Sequence, residues 1–232
     1  MKRPIVMHVS ARTRERWRHR WNRIRACFLP EPYRTVMPYT MVDLRRLRNL
    51  SALAHQIEAL GIAGDIVECG ACNGGSGALL ARIAIRSIYR RHVWLLDSFE
   101  GLPAATAVDG DHAAEYTGAC AGEVDNVRAV LRRSGVPEDR VTIVKGWFAQ
   151  TVPSLEVGSI ALLHIDADWY ESVRIALDHL YDKVETCGFI VVDDYGYWEG
   201  CRTAIHDFFA ERGVNPLLRD VDGIGVYFQK PA

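Results

Sequence analysis

Two pairs of aspartates follow two apolar segments, and carboxylates in that position can hold a metal ion. Asp166 and Asp168 follow ALLHI, and Asp193 and Asp194 follow FIVV. The 27 residues from Asp166 to Asp193 suffice for a loop, a helix and a parallel return strand, whose tip would lie ~4.8 Å from the first. Carboxylates that close repel each other unless a cation lies between them, and an all-oxygen set suits Mg²⁺, Mn²⁺ or Ca²⁺ better than zinc. The sequence therefore predicts a metal site from Asp166, Asp193 and Asp194. Ordinary loop and helix-capping acids are the alternative, above all for Asp168.

A glycine-rich turn in GDIVECGACNGGSGALLARIA (64–84) joins a strand pattern to a helix pattern. Glycines let a ligand approach the backbone, and the helix N-terminus carries a positive dipole end. The spacing does not match G-x-G-x-x-G, because Leu80 stands at the third glycine position, and G-x-x-x-x-G-K-[ST] is absent. Glu68, just before the turn, would repel a pyrophosphate but suits a cation. S-adenosylmethionine (SAM) carries a sulfonium and an ammonium but no phosphate, so the turn predicts a SAM site with Glu68 and Gly70.

Two further strand ends carry residues that suit an adenosine. Asp97 lies 27 residues after Gly70, where nucleotide-binding sheets place an acid that accepts both ribose hydroxyls. Helix capping is the alternative role, but the nearby glycine turn favours ribose binding. Trp147 and Phe148 follow VTIVKG. They are placed either to flank an adenine ring or to join the core, and the pattern does not decide between these.

These residues require a sheet whose strands end at one edge, and the remaining pattern predicts it. Short apolar runs alternate with helical stretches from residue 61 onward, which indicates an α/β fold with a doubly wound, Rossmann-like sheet. The segment 101–122 is polar and is predicted to be a mobile loop over the site. The predicted strands are 65–69, 92–96, 141–145, 159–165, 188–192 and part of 225–229, and the predicted helices are 40–60, 75–90, 122–134, 171–184 and 200–212.

Composition narrows the class of protein. The 232 residues, 49% hydrophobic and 25% charged, fit one globular domain. No apolar run reaches the ~18 residues of a membrane span, and the first residues lack the apolar core of a secretory signal. The six cysteines do not form a disulfide-scaffold pattern. We therefore expect a soluble cytoplasmic protein with reduced thiols. Cys69 and Cys72 form C-x-x-C inside the turn, without the second pair that zinc would need.

The N-terminal segment is strongly basic. Residues 1–48 hold thirteen Lys/Arg and three Asp/Glu, a net charge of +10, whereas residues 49–232 carry −11. Trp17, Trp21 and Ile24 share one face of an arginine-rich amphipathic helix. Its possible partners are an anionic surface, an acidic neighbouring subunit or RNA, but packing of the tryptophans on the main domain is favoured. One such helix does not predict nucleic-acid binding. We divide the chain into a helical extension (1–38) and a Rossmann-like domain (39–232).

Seven segments carry a resemblance to a known family: YTMVDLRRLRNL, GDIVECGACNGGSG, LLDSFEGLP, VKGWFAQTVP, LLHIDADWYESV, FIVVDDYGYWEGCRTAI and DGIGVYFQK. In this order, and over roughly residues 39–229, they resemble the macrocin (TylF/MycF-type) O-methyltransferases. The resemblance implies the class I SAM-dependent methyltransferase fold and methylation of a sugar hydroxyl. It also implies a need for Mg²⁺, with Mn²⁺ as a substitute, and assembly into homo-oligomers.

The resemblance also assigns roles to individual residues. Asp166 would be both metal ligand and catalytic base, with Asp193 and Asp194 as the other ligands. Glu171 would contact the acceptor, and Tyr195 is a second candidate because sugars stack on aromatic rings. The implied SAM site comprises Thr40, Met41, Glu68, Gly70, Asp97, Ser98 and Phe99, and Ser76, Trp147 and Phe148 complete the predicted site.

The chemistry agrees with this assignment. A sugar hydroxyl is a poor nucleophile until a divalent cation stabilises its alkoxide and a carboxylate takes its proton. His112 in the polar loop and His164 in the strand are rival bases. The family usually has W-R-G-G-S in the glycine turn, where this chain has CNGGS. Trp169 and Val173 also depart from D-x-D-x-Y-E-S-T, which leaves the acceptor open.

Two other functions remain open. A catechol-type acceptor would use a similar metal site and could stack on the aromatic residues after each acidic pair. A metal-dependent hydrolase is less favoured, because it would not need Glu68 and Asp97 around an adenosine-sized crevice. A non-catalytic SAM-binding protein would not need the metal acids.

Overall fold

A seven-stranded sheet forms the centre of the molecule in the computed structural model, which describes residues 11–231. The strands lie in the order β3-β2-β1-β4-β5-β7-β6. Strands β1 to β5 are parallel, and β7 pairs antiparallel with β5 and β6. The predicted doubly wound, Rossmann-like sheet is confirmed. The strands are β1 (Asp65–Cys69), β2 (Val93–Asp97), β3 (Val141–Lys145), β4 (Ile160–Ile165), β5 (Val184–Val192), β6 (Arg219–Asp220) and β7 (Val226–Gln229).

The helices occupy the predicted stretches with shifted ends. The helix predicted over 40–60 begins only after Asp43, whose carboxylate accepts a hydrogen bond from the Arg45 amide at 3.0 Å and caps it. The helix predicted over 75–90 ends at residue 84. No helix within residues 11–231 combines the length and apolar character of a membrane span. The helices are α1 (Ala11–Ala26), α2 (Tyr33–Val36), α3 (Leu44–Ala59), α4 (Gly75–Ala84), α5 (Val124–Arg133), α6 (Phe148–Thr151), α7 (Tyr170–Leu180) and α8 (Glu199–Arg212).

Two hydrophobic cores cover the two faces of the sheet. Successive strand residues point to opposite faces, so Ile66 joins the core under α3, α4 and α5, and Val67 joins the core under α7 and α8. Strand β4 is buried at all six positions, as expected of a central parallel strand. Burial of each large aliphatic side chain contributes about 1.5–3 kcal/mol. The carboxyl ends of β1, β4 and β5 are therefore held by core on both faces.

Helix α1 packs on the domain through the face opposite to the predicted one. Asn22 and Ala26 face the domain, and the Asn22 side chain donates to the Thr40 carbonyl oxygen at 3.0 Å. Trp17 and Trp21 instead point to solvent with 72% and 61% of their surface exposed. The prediction that the tryptophans pack on the main domain is wrong, because small and amide side chains form the docked face. The boundary predicted at residue 38 stays a prediction, and residues 1–10 of that extension lie outside the described residues.

Candidate active site

A cavity of about 400 Å³ lies above the carboxyl ends of the parallel strands. Gly70 follows β1, Asp97 ends β2, Asp166 follows β4 and Asp193 follows β5, and all of them line it. The chain winds from β1 through β2 to β3 in one direction and from β4 to β5 in the other. The cavity therefore lies at the topological switch point, where open α/β sheets bind ligands.

The glycine turn is held between two strands. The Gly70 amide donates to the Leu96 carbonyl oxygen at 2.8 Å, and the Asp166 amide donates to the Cys69 carbonyl oxygen at 2.8 Å. Gly70 has φ +101°, and a Cβ there would overlap the carbonyl oxygen of Asp166. Only glycine fits this position, so the backbone of the turn itself forms the cavity wall.

Asp97 is fixed beside that turn. Its carboxylate accepts hydrogen bonds from the Cys72 amide at 2.8 Å and the Phe99 amide at 2.6 Å. Burial raises the pKa of Asp97, while these two backbone hydrogen bonds act to lower it. Each carboxylate oxygen has a second lone pair, so the side chain can still accept from two hydroxyls of a ligand.

Three carboxylates meet where β4 and β5 end. One oxygen each of Asp166, Asp168 and Asp194 lies within 4.8 Å of the others. The Asp194 Oδ2 atom is buried without a hydrogen-bond partner in the described part of the chain. Trp198 Nε1 donates to Asp168 at 2.7 Å, and Asp168 has φ +54°, a left-handed conformation that few side chains adopt. An unmatched buried acceptor within an all-oxygen set fits a hard divalent cation.

Asp193 lies beside this group and is paired with Arg46. Arg46 forms an ion pair with Asp193 Oδ2 and donates to its carbonyl oxygen at 3.1 Å. The other carboxylate oxygen faces His164 Nε2 at 3.9 Å. Asp193 and Asp194 are consecutive residues just after β5, and their side chains reach different partners. Asp166, Asp193 and Asp194, the predicted metal ligands, all line the cavity together with Asp168, and the ligand set stays a prediction.

The clustered acids share a shift in pKa. Burial raises the pKa of Asp166 and Asp168 well above the ordinary value, and the neighbouring carboxylates raise it further. Burial and Asp193 raise the pKa of Asp194 to about 6. The guanidinium of Arg46 opposes these shifts in all three. Like charges at close range favour bound protons, which a divalent cation would displace.

Comparison with known proteins assigns the chain to a family. The sequence profile described as macrocin-O-methyltransferase (TylF) matches residues 7–230. The chain belongs to the macrocin O-methyltransferase family. It is thus an O-methyltransferase, and the resemblance predicted from the seven segments is confirmed.

Two relatives and two solved structures illustrate the macrocin O-methyltransferase assignment. The chain is 36% identical over 205 residues to the 8-demethyl-8-(2,3-dimethoxy-alpha-L-rhamnosyl)-tetracenomycin-C 4'-O-methyltransferase of Streptomyces olivaceus, covering 84% of this chain and 76% of the relative. It is 31% identical over 213 residues to the mycinamicin III 3''-O-methyltransferase of Micromonospora griseorubida, covering 87% and 82%. The O-methyltransferase NovP matches with a TM-score of 0.77 at 31% identity over 84% of this chain and 83% of NovP. The calicheamicin methyltransferase CalS11 matches with a TM-score of 0.69 at 21% identity over 96% and 94%, which shows the fold. The fold is that of class I SAM-dependent methyltransferases.

Most residues predicted to bind the cofactor surround the cavity of this macrocin-type enzyme. Phe99 does not line it: this residue has φ +58° and packs against the core under α3 and α4. Glu68 does not line it either. Those that do are Thr40, Met41, Gly70, Ser76, Asp97, Ser98, Trp147 and Phe148.

Glu68 and His164 form a buried pair beneath the turn. Glu68 Oε1 lies 2.9 Å from His164 Nδ1, and both side chains are fully buried. Glu68 points to the sheet face that α4 covers, because it alternates with Val67, and its predicted contact with a cationic ligand stays a prediction. Burial lowers the pKa of His164, but Asp193 and Glu68 outweigh this and raise it to about 9. A protonated imidazole cannot accept a proton at neutral pH, which argues against His164 as the base.

The predicted acceptor contacts lie outside the cavity. Glu171 is exposed on α7, and the Tyr195 hydroxyl lies 2.9 Å from His206 Nε2. The His112 side chain is 87% exposed and faces Glu115. The aromatic residues that line the cavity on this side are Tyr116, Tyr197 and Trp198. Two of them, Tyr197 and Trp198, belong to the aromatic segment YGYW, which is visible in the sequence. The conformation of the turn after β5, however, decides which of these rings face the cavity.

Proposed function

We propose that this enzyme transfers the methyl group of SAM to a sugar hydroxyl of a natural-product glycoside, with Mg²⁺ or Mn²⁺ as the metal. The observation that carries the proposal is the cluster of Asp166, Asp168 and Asp194 beside a cavity formed by the glycine turn and Asp97. The names of two relatives, which describe methylation of a rhamnosyl group and of mycinamicin III, support a sugar acceptor. The aromatic wall of Tyr116, Tyr197 and Trp198 suits a sugar ring.

Different residues would bind the methyl donor and activate the acceptor. The turn at Gly70 and the carboxylate of Asp97 would bind and orient the donor. Asp166, Asp168 and Asp194 would hold the metal, which supplies stabilisation of an oxyanion when bound. Asp166 would accept the proton of the hydroxyl, because it belongs to the metal cluster and follows directly on β4. Alignment of the hydroxyl with the sulfonium methyl would supply most of the remaining acceleration.

Titration calorimetry and a methyl-transfer assay test this function. The purified protein should bind SAM and, separately, Mn²⁺, and Asp194→Asn should retain SAM binding while it loses Mn²⁺ binding. Methyl-labelled SAM should then label a rhamnosyl glycoside in the presence of Mg²⁺. Metal binding without affinity for SAM would overturn the proposal in favour of a metal-dependent hydrolase. Labelling of catechol in preference to glycosides would establish the catechol-type alternative, which the aromatic wall also favours.

We also propose that the enzyme is a cytoplasmic homo-oligomer in which α1 contacts a second copy of the chain. Trp17, Trp21 and Ile24 are exposed on the side of α1 that faces away from the domain, and Phe28, just after the helix, is exposed as well. The charge distribution favours a second copy of the chain as the partner of α1. Residues 1–48 carry a net charge of +10 and the remainder −11, so the basic helix of one copy is attracted to the acidic body of another. An anionic membrane would be repelled by that same body.

Sedimentation velocity tests this contact. The wild type should form a dimer or a larger assembly that weakens as salt is added, and Trp17→Glu with Trp21→Glu should be monomeric. Ile88→Glu is the control, because Ile88 is 85% exposed and lies far along the chain, after α4. A double variant that keeps the assembly size would exclude α1 as the contact. Binding of the wild type to phosphatidylserine vesicles, lost in the double variant, would instead assign the helix to membranes.

A further inference from the structure

The indole of Trp198 connects the aromatic wall of the cavity to one of the clustered acids. Trp198 Nε1 donates to Asp168 Oδ1 at 2.7 Å, and Trp198 lines the cavity although only 8% of its surface is exposed. Its backbone amide donates to the Asp194 carbonyl oxygen at 3.0 Å. The residue therefore belongs to the turn after β5 and reaches across to the acid that follows β4, 30 residues earlier in the chain.

Three neighbouring rings fix the position of this indole. Its edge-to-face neighbours, at centroid distances of 5.0, 4.8 and 4.8 Å, are Tyr116, Tyr197 and Trp169. Trp169 is held in turn, because its Nε1 donates to the Pro103 carbonyl oxygen at 3.0 Å. Packing on several sides leaves a side chain little freedom to rotate. The N–H of Trp198 therefore keeps one direction, toward Asp168.

The direction of the Asp168 carboxylate depends on this contact. Within residues 11–231, the side chain of Asp168 accepts no other hydrogen bond. Asp168 has φ +54°, and a left-handed backbone of this kind persists only where its surroundings hold it. One oxygen each of Asp166 and Asp194 lies within 4.8 Å of one of its own, and like charges at this range repel each other. The indole N–H thus directs the carboxylate against the repulsion of its neighbours.

The need of a buried indole for an acceptor does not by itself explain this contact. A backbone carbonyl satisfies a buried indole N–H, as the carbonyl of Pro103 does for Trp169. Trp198 instead donates to a carboxylate that is buried among other carboxylates, and hydrogen bonds to a charged acceptor are shorter and stronger. A donor in the aromatic wall that is paired with an acid of the cluster points to a role in the reaction.

We propose that Trp198 is a positioning residue that fixes the direction of the Asp168 carboxylate beside the metal cluster, from within the wall that receives the acceptor ring. The inference rests on the proposed function and deepens it, because it gives one residue of the wall a part in the chemical step. A carboxylate at this point needs a fixed direction whether it binds the metal or accepts a proton. The ring of Trp198 therefore acts on acceptor binding, and its N–H acts on turnover.

Two substitutions in the wall separate these effects. Trp198→Phe keeps an aromatic ring and removes the N–H. Its kcat for methyl transfer to a rhamnosyl glycoside should fall about tenfold, the lower end of the range for contacts that orient an active-site ligand, with a smaller change in KM and unchanged SAM affinity. Tyr197→Leu removes a ring and keeps the N–H, so it should raise KM more than it lowers kcat. In an Asp168→Asn background, Trp198→Phe should cause no further loss of kcat, because the group that it positions is already altered.

Trp94→Phe is the matched control for loss of an indole–carboxylate hydrogen bond. Trp94 Nε1 donates to Asp65 Oδ2 at 2.9 Å, near the amino ends of β1 and β2, and Trp94 does not line the cavity. The control should lose stability in thermal unfolding and keep its kcat and KM. If Trp198→Phe folds and keeps its kcat as the control does, the positioning role is overturned. If Trp198→Phe raises KM alone, the residue contributes only a ring to the wall, and the proposal is overturned as well.

Indole ¹H–¹⁵N nuclear magnetic resonance of the full chain gives a readout that does not depend on activity. Of the six tryptophan signals, the signal of Trp198, assigned by its loss in Trp198→Phe, should move in Asp168→Asn and on addition of Mg²⁺ to the wild type. The signal of Trp94 should respond to neither. If no indole signal moves in Asp168→Asn, the hydrogen bond is absent in solution and the proposal is overturned, whether or not Trp198→Phe folds.

Failure of this inference is distinguishable from failure of the proposed function. A wild type that binds neither SAM nor Mg²⁺ overturns the function and, with it, the role of Trp198. A wild type that binds both and labels the glycoside, together with an unchanged kcat in Trp198→Phe, overturns only the positioning role. A wild type that binds both and labels no glycoside overturns the sugar acceptor. The response of the indole signals to Asp168→Asn and to Mg²⁺ then decides the role of Trp198.

Discussion

Two buried arginines lie at opposite edges of the same sheet, and their surroundings differ. Arg91, just before β2 at the amino edge, pairs with Glu58 and donates to the carbonyl oxygens of Gly64 at 2.6 Å and of Ile62. Within residues 11–231, neither Arg91 nor Glu58 leaves a buried polar side-chain atom without a hydrogen bond. This arginine joins α3, the β1 entry and β2 into one closed network.

Arg46, at the carboxyl edge, is surrounded by buried polar atoms that lack hydrogen-bond partners within residues 11–231. It contacts Asp193 and Asp222, and burial lowers its pKa while Asp193 and the other nearby acids raise it, with a net increase. The buried side-chain atoms without a hydrogen-bond partner near it include Arg46 Nε, His164 Nε2, Asp193 Oδ1 and Asp194 Oδ2. The amino edge thus closes its buried charges into a hydrogen-bonded network, whereas the carboxyl edge has buried polar atoms that a bound ligand would match.

The largest effect should come from the base at the carboxyl edge. Asp166→Asn removes the proton acceptor, and we expect turnover to fall about 10³-fold, within the range of general base catalysis. The control is Asp65→Asn at the amino edge, where Asp65 accepts from the His92 amide at 3.0 Å and Trp94 Nε1 at 2.9 Å. Methyl transfer per folded molecule should stay near wild type in the control. Equal losses in both variants would break the distinction between the edges.

Replacement of each arginine by methionine tests whether the two edges differ in function. Arg91→Met removes the partner of the half-buried Glu58 and the donor to the carbonyl oxygens of Ile62 and Gly64, so the free energy of unfolding should fall by about 1–3 kcal/mol while the SAM affinity of the folded protein stays unchanged. Arg46→Met should lower turnover as well as stability, because Asp193 loses its anchor. Urea unfolding and calorimetry measure both quantities. A purely structural role for Arg46 would leave the turnover of its folded variant intact.

Asp168 and Asp193 are alternative partners of Asp166 and Asp194 in the metal site, and their variants should differ in metal affinity. Asp168→Asn removes an acid with an oxygen in the carboxylate cluster, and Asp193→Asn removes an acid that is already paired with Arg46. We expect Mn²⁺ affinity to fall about 100-fold in the first and about 10-fold in the second, the upper and lower ends of the range for such sites. Titration of free Mn²⁺ gives both values. The reverse order would assign Asp193, the acid predicted from the sequence, rather than Asp168 as the third ligand.

The smallest effect should be a pH dependence of the increase in Tm that Mg²⁺ causes. The pKa of Asp194 is raised from 3.8 to about 6, so in the metal-free protein this group contributes stability that is full below 3.8 and is lost as pH rises through about 6. Mg²⁺ displaces the proton, and its increase in Tm should therefore be larger at about pH 8 than at about pH 5. Asp194→Asn, scanned in parallel, should show no such difference. A Tm increase independent of pH in the wild type would argue against these acids as ligands.

Predictions from strand patterns succeeded because they depend on local rules. Alternation of apolar residues located β1 to β4 to within one residue at either end, and the acids at strand ends were placed at one edge because parallel strands share their direction. The fate of Glu68 could not be predicted in this way. Its position before the turn suggested a ligand contact, but its side chain points to the sheet face that α4 covers. The packing of that helix determines which groups the side chain contacts.

The same limit explains the other corrections. Tyr195, Tyr197 and Trp198 are near neighbours in the sequence, and the turn after β5 directs Tyr195 to His206 and the other two to the cavity. Arg46 is one of several arginines in DLRRLR, and nothing local marks it as the partner of an acid 147 residues away. Side-chain direction in loops depends on backbone angles such as the left-handed φ of Asp168, which no spacing rule supplies.

The sequence alone determined the doubly wound sheet, the SAM-type glycine turn, the acids at the strand tips and the family. Each of these follows from a period, a spacing or a motif that is written in consecutive residues. Only the tertiary structure decided that Asp168 joins Asp166 and Asp194, that Asp193 turns to Arg46 and His164, and that the tryptophans of α1 face outward. These outcomes depend on which side chains meet across 30 to 150 residues of chain, and such meetings are set by packing rather than by local pattern.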